Sequence, residues 1–195
     1  MLNGTGAGAP DKEGGNLRAE EQGRATAAAV DDLSFLALAS ALSSSLVRAR
    51  GTQVDEQVRN ALQRIAEFFD ADRGILCAVA HADRRVLVRD CVHRVGANLP
   101  ASGPDAAEIF PWLFDEVVVC GRVVSIPSID RLPPAAVRDR AGLSGWQLRS
   151  ALFVPVSHAD AVEFVLGLGC SRDDPGWTDE TIARLVGNAF VAFAG

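Results

Sequence analysis

An α+β domain, with helices set around an antiparallel sheet, is what this 195-residue sequence predicts. Three observations carry that prediction. The stretch 148–170 reads as a hairpin: LRSALFVPV (148–156) and AVEFVLGLGC (161–170), joined by the polar turn 157–160. GILCAVAH (74–81) and RVLVRDCVH (85–93) form a second hairpin about a turn at Ala82-Asp83-Arg84. Amphipathic helical patterns stand before the first hairpin and after the second.

In chain order, residues 1–30 are rich in Gly, Ala and mixed charge and hold few large apolar groups, which predicts a disordered tail. The domain is expected over 31–195. Asp31 or Asp32 caps a helix to about Arg48 with no charge between 33 and 47, and Phe35, Leu38, Leu42 and Leu46 share one side of it. More of that helix is apolar than one sheet face can hide, so it either dimerises or is wedged between the sheet and its neighbours. Thr52 and Asp55 make a capping box for a helix to about Asp70, with Val54, Val58, Leu62, Ile65 and Phe69 as its apolar stripe. After the first hairpin, 96–104 is a loop. Residues 105–118 read as helical except at Pro111, with the helix proper starting near Phe110, where a proline suits the first turn. A short strand at 122–126 and a turn at 127–130 follow. Pro133 and Pro134 open a brief helix that Gly142 is expected to end.

In the second hairpin, Leu152 and Val154 share a face, as do Leu166 and Leu168, and these want helix cover. Arg149, Ala151, Phe153, Gly167 and Gly169 point the other way. Two glycines in one strand weaken it unless something approaches that face closely, either a ligand or a packed loop. Thr178, with Asp179 and Glu180 behind it, starts a last helix whose apolar face holds Ile182, Leu185, Val186, Ala189, Phe190 and Phe193. It is still apolar at Gly195, so either it docks or a linked output domain follows.

Composition excludes several functions. A net charge of −6 and dispersed arginines argue against direct nucleic-acid binding. No stretch supplies the ~20 apolar residues of a membrane helix. Cys77, Cys91, Cys120 and Cys170 lack CxxC spacing and no secretory signal precedes them, so they read as reduced thiols of a cytoplasmic protein. His81, His93 and His158 make no metal-ligand pattern, and no metal or cofactor is expected. No pair of carboxylates is placed across a cleft, and no kinase core, receiver aspartate or phosphate loop is present.

With the elements in this order, the chain from about 31 to 193 closely resembles a GAF domain. The resemblance rests on AEFFDADRGILCAV (66–79), FPWLFDEVVVCGRVVSIPSIDRLPPAA (110–136), LRSALFVPV (148–156), VLGLGC (165–170) and WTDETIARLV (177–186). It implies a five- or six-stranded antiparallel sheet, with the N- and C-terminal helices on one face and a roof of loops and short helices on the other. Beneath that roof Phe110, Trp112, Ile126, Ile129, Arg149, Ala151, Phe153, Gly167 and Gly169 would border a small-molecule pocket, unless Phe110 and Trp112 simply plug the sheet.

The resemblance further implies a non-catalytic sensor domain of a bacterial signalling protein, a sensor histidine kinase or a transcriptional regulator. Such a domain would be homodimeric through Phe35, Leu38, Leu42, Leu46, Val186, Phe190 and Phe193. The alternatives are a thiol enzyme like the methionine sulfoxide reductases of this fold, using Cys77 or Cys91 on adjacent strands, and a structural spacer without ligand. Bilin attachment, as in phytochrome-like relatives, calls for a cysteine followed by histidine; Cys120 is followed by Gly121 and Arg122. The signature of cyclic-nucleotide-binding relatives is also missing.

Overall fold

The computed structural model describes residues 53–93, 106–158 and 161–193, with side chains over 56–93, 107–157 and 161–187. The expected tail, the helix at 31–48 and the loop at 96–104 lie outside these residues. The described elements are α1 (Gln53–Phe68), β1 (Arg73–Ala80), β2 (Arg85–His93), α2 (Ala106–Ile109), α3 (Pro111–Leu113), β3 (Val124–Ile126), α4 (Val137–Gly145), β4 (Ser150–His158), β5 (Ala161–Cys170) and α5 (Asp179–Phe193). The strands form one five-stranded sheet in the order β2-β1-β5-β4-β3, every neighbouring pair antiparallel.

Strand alternation gives the sheet two different faces. Leu76, Leu166 and Val154 are aligned across β1, β5 and β4, and Gly74, Leu168 and Leu152 form the next row. The helices α1 and α5 cover this side. The stripe Val58, Ala61, Leu62, Ile65 and Phe69 is buried while Glu56, Arg59, Arg64 and Glu67 face water, as helical periodicity requires. A Cβ added at Gly74 would lie 3.2 Å from the Leu62 side chain, so the missing side chain lets α1 sit close on the sheet. Arg59 pins the helix to β2 through Asp90 at 3.0 Å. The Trp177 indole N–H donates to the Phe69 carbonyl at 2.8 Å and ties the start of α5 to the end of α1. Thr178 caps α5 as expected, its hydroxyl accepting from the Thr181 N–H at 3.2 Å.

Local differences from the expected elements have physical reasons. β4 begins at Ser150 and runs to His158, which pairs with Ala161, so the turn is shorter than 157–160. Bulges at Arg89 in β2 and Glu163 in β5 break strict alternation and turn Val162 to the side of Val165. Gly142 does not end α4: the helix continues to Gly145, and Gln147, at φ 58°, supplies the left-handed turn after it. The helix after Pro111 becomes π-helical over Phe114–Val119, with the Cys120 N–H donating to the Asp115 carbonyl at 2.9 Å. No helix among the described residues is long and apolar enough to cross a membrane.

Candidate functional site

The second sheet face carries the candidate site. Its rows are Ile75, Gly167, Phe153 and Val124, then Arg73, Gly169, Ala151 and Ile126. Short elements cover it: α2, α3 with its π-helical extension, the single 3₁₀ turns Ile129–Arg131 and Pro134–Ala136, and α4. Phe110, Leu113, Phe114, Val117, Ile129, Ala136 and Leu143 descend from this roof onto Val124, Ile126, Ala151 and Val165 of the sheet, making a second apolar core.

The glycines that drew attention in the sequence meet side chains here. A Cβ at Gly167 would fall 2.7 Å from Ile75 Cγ2 and 3.2 Å from Phe153 Cε1, and one at Gly169 would fall 2.7 Å from Leu148 Cδ2. Gly142 plays the same part within the roof, where a Cβ would fall 2.6 Å from Phe110 Cε1 and 2.7 Å from Ile109 Cγ2. Its bare backbone lets α2 pack on α4, and places the Phe110 ring edge-on to Trp146 with centroids 4.8 Å apart.

Two polar anchors hold the roof. Asp139, on α4, is wholly buried; its carboxyl oxygens accept the Leu113 N–H at 2.8 Å and the Trp112 N–H at 3.3 Å. Phe110 offers no side-chain cap to the helix that starts at Pro111, so a residue 26 positions after Leu113 performs the capping. Arg140 donates to the Ile129 carbonyl at 3.1 Å and the Leu132 carbonyl at 2.6 Å, stapling the 3₁₀ turn to the helix. At the hairpin end, Arg84 reaches Asp115 at 3.3 Å and lies 4.9 Å from the centre of the Phe114 ring.

The structure brings Phe110, Ile126, Ile129, Ala151, Phe153 and Trp112 together between roof and sheet, Phe153 and Trp112 only partly buried. Arg149 stays apart. It lies just before β4, 40% exposed, and pairs with Asp130 at 2.7 Å and Asp173 at 2.9 Å. Hydrogen bonds from Ser128 and Arg149 hold the Asp173 carboxyl below its usual range. Of the proposed dimer residues, Val186 is half-buried on α5; Phe35, Leu38, Leu42 and Leu46, and the side chains of Phe190 and Phe193, lie outside the described residues.

Cys77 and Cys91 share the roof side of the sheet but do not face each other. Cys77 opposes Val88 and Cys91 opposes Ile75, with the bulge at Arg89 between the two pairs. Both are free thiols. Burial, with Cys91 adding a smaller push, raises the Cys77 thiol to about 12. Burial and then Asp90 raise Cys91 to about 11. Neither is a thiolate at neutral pH, the opposite of what a nucleophile needs. Among the described residues no cluster of His, Cys, Asp or Glu could hold a metal ion, and His81 bonds the Val162 carbonyl at 2.9 Å.

Two buried charged residues, Asp139 and Arg73, are not among the site residues that the sequence singles out. Asp139 stands with Ala136 and Leu143 at helical spacing, and all three are fully buried, so the stripe itself places an acid in the core. Arg73 is one residue upstream of the expected strand. Extending the alternation Cys77, Ile75 back by one step puts it on the roof side, where it is 7% exposed.

A sheet with terminal helices on one face and a roof of short elements on the other is GAF architecture, and residues 53–194 match the GAF domain family. The chain belongs to that family, whose members are in general small-molecule sensory and regulatory modules. No curated protein sequence matches the chain. Among solved structures, the phycoerythrobilin-bound GAF domain from a cyanobacterial phytochrome is similar, with TM-score 0.65 and 14% identity over 84% of this chain and 96% of that one. The GAF domain from Acinetobacter phosphoenolpyruvate-protein phosphotransferase gives 0.58 and 14%, covering 80% and 89%. The free methionine-R-sulfoxide reductase from Neisseria meningitidis, in complex with its substrate, gives 0.59 and 12%, covering 81% and 85%. At such identities the likeness is one of fold.

Proposed function

We propose that this chain is the regulatory domain of a bacterial signal-transduction protein, a sensor histidine kinase or a transcriptional regulator, in which it senses a small molecule in the cytoplasm. In this reading it carries no catalysis itself, acts as a homodimer through Leu38, Leu42, Val186, Phe190 and their neighbours, and passes its state to an output domain. One observation supports this above all: the roof over the second sheet face is a succession of short α, π and 3₁₀ pieces held by a few polar anchors, not a long regular helix. Such a cover can rearrange locally around a ligand while the sheet and its two long helices keep their packing.

The thiol-enzyme reading is the weaker one, because burial raises both Cys77 and Cys91. Thermal-shift screening of the purified chain against a metabolite library that includes neutral and anionic compounds tests the proposal. Sedimentation at high micromolar concentration accompanies it. The expected result is a dimer stabilised by at least one compound. A strict monomer would remove the dimer, and a melting temperature indifferent to the whole library would remove the sensor.

A further inference from the structure

We infer that Arg73 is the anion-recognising residue of the roof-side face, and that the molecule it takes is a small organic carboxylate; this rests on the sensor reading. Arg73 as a residue is only 7% exposed. It stands in the row with Gly169, Ala151 and Ile126 on the face that the roof covers. Its one hydrogen bond to a described residue runs from Nη1 to the Trp146 carbonyl at 2.5 Å, where it satisfies the carbonyl that closes α4.

That bond uses one corner of the guanidinium and leaves the edge formed by Nε–H and Nη2–H without an acceptor among the described residues. Every fully enclosed side-chain nitrogen or oxygen among those residues has a partner. Neither nitrogen of that edge is therefore completely enclosed, and the small exposure that Arg73 keeps is compatible with access to it. A guanidinium held this way, with no carboxylate paired to it among the described residues, is a fixed fork that suits an anion.

The molecule contains its own demonstration of what that edge binds. In Arg149 the same two nitrogens, Nε and Nη2, both donate to the Asp173 carboxylate, at 3.3 and 2.9 Å. Arg59, Arg84, Arg122, Arg172 and Arg184 likewise pair with carboxylates. Arg73 is far more enclosed than these and has no such partner among the described residues, so a carboxylate brought by a ligand would meet it with less competition from water. The surroundings suit an apolar body on that ligand: Ile75 follows on the same strand face, and the Phe110–Trp146 aromatic pair stands at the carbonyl that Arg73 bonds.

The test uses the full chain and NMR of the arginine Nε–H groups, with the Arg73 signal assigned by its loss in Arg73→Lys. The probes are acetate, benzoate and phenylacetate at up to about 20 mM, above the millimolar range where a single fork with little apolar contact binds. The neutral amides of the last two are the controls. Lysine keeps a donor for the Trp146 carbonyl but lacks the fork, so a merely capping role survives it. We expect a saturable shift of the Arg73 signal with at least one carboxylate and none with its amide, and backbone amide shifts, followed in both proteins, should show binding weakened tenfold or more in Arg73→Lys. No shift with any carboxylate, equal shifts with the amides, or unchanged affinity in Arg73→Lys would overturn the assignment. Should a neutral library compound stabilise the chain while Arg73 stays silent, the sensor reading stands and the carboxylate class falls.

Discussion

Replacing Asp139 by alanine tests the idea that one buried carboxyl ties two pieces of the roof together. The substitution leaves two backbone N–H groups at the start of the Pro111 helix without an acceptor, the Leu113 N–H buried and the Trp112 N–H partly so. An unsatisfied buried donor costs about 1–3 kcal/mol. Counting the buried one in full and the longer 3.3 Å bond at half gives a loss of about 3 kcal/mol. For a domain of this size that is roughly 6–12 °C in melting temperature. Asp139→Asn keeps one carbonyl oxygen for Leu113 and should lose only about 1 kcal/mol. Urea denaturation of the three proteins, with equal m-values, measures the differences. Stability within about 0.5 kcal/mol of wild type for the alanine variant, or equal losses for alanine and asparagine, would refute the capping argument.

Further outcomes follow from the same geometry and electrostatics. Gly167→Ala drives a Cβ to 2.7 Å from Ile75 Cγ2 and should destabilise by about 1–3 kcal/mol. Gly145→Ala, in open space within α4, should be neutral or stabilising by up to about 1 kcal/mol, and urea denaturation compares the two. Iodoacetamide at pH 8 should label Cys77 and Cys91 far more slowly in the native chain than in urea, because both thiols are raised; one fast native thiol among them would revive the enzyme reading. The same shifts give a pH dependence. The unfolded thiols ionise from 9.0 while folded Cys77 keeps its proton to about 12, so stability is full below that window and falls as pH rises through it. Asp173 has the opposite sign. Its contribution is present above 3.8 and lost as acid protonates the folded carboxyl, and an NMR titration should find its midpoint below 3.8, moving up in Arg149→Gln.

The sheet was legible because its strands obey a period of two. β2 falls at the expected residues, and the helix-facing set Leu152, Val154, Leu166 and Leu168 is buried as alternation requires. What sequence spacing could not supply were features set by contacts distant along the chain. The bulges at Arg89 and Glu163 arise from pairing with β1 and β4. The cap from Asp139 joins α4 to a helix that begins 28 residues earlier, and a charged residue in the stretch AAVRDRAG looks like solvated surface until Ala136 and Leu143 are seen to flank it inside. Gly142 looked like a helix stop because glycine commonly is one; here the space it leaves for Phe110 and Ile109 outweighs that tendency. Parity groups Arg149 with Ala151 and Phe153, but the sheet pairing of β4 begins only at Ser150, and Asp130 and Asp173 draw its side chain to the rim.

The proposed sensing requires a roof that opens independently of the sheet beneath it. Native-state hydrogen exchange measures this directly, amide by amide. Amides of Phe114–Val119 and Val137–Gly145 should exchange through local openings of lower free energy than those of β1 and β5, which should exchange only by global unfolding. A single opening free energy shared by roof and sheet would contradict it, and would leave the second core as a filled and permanent part of the fold.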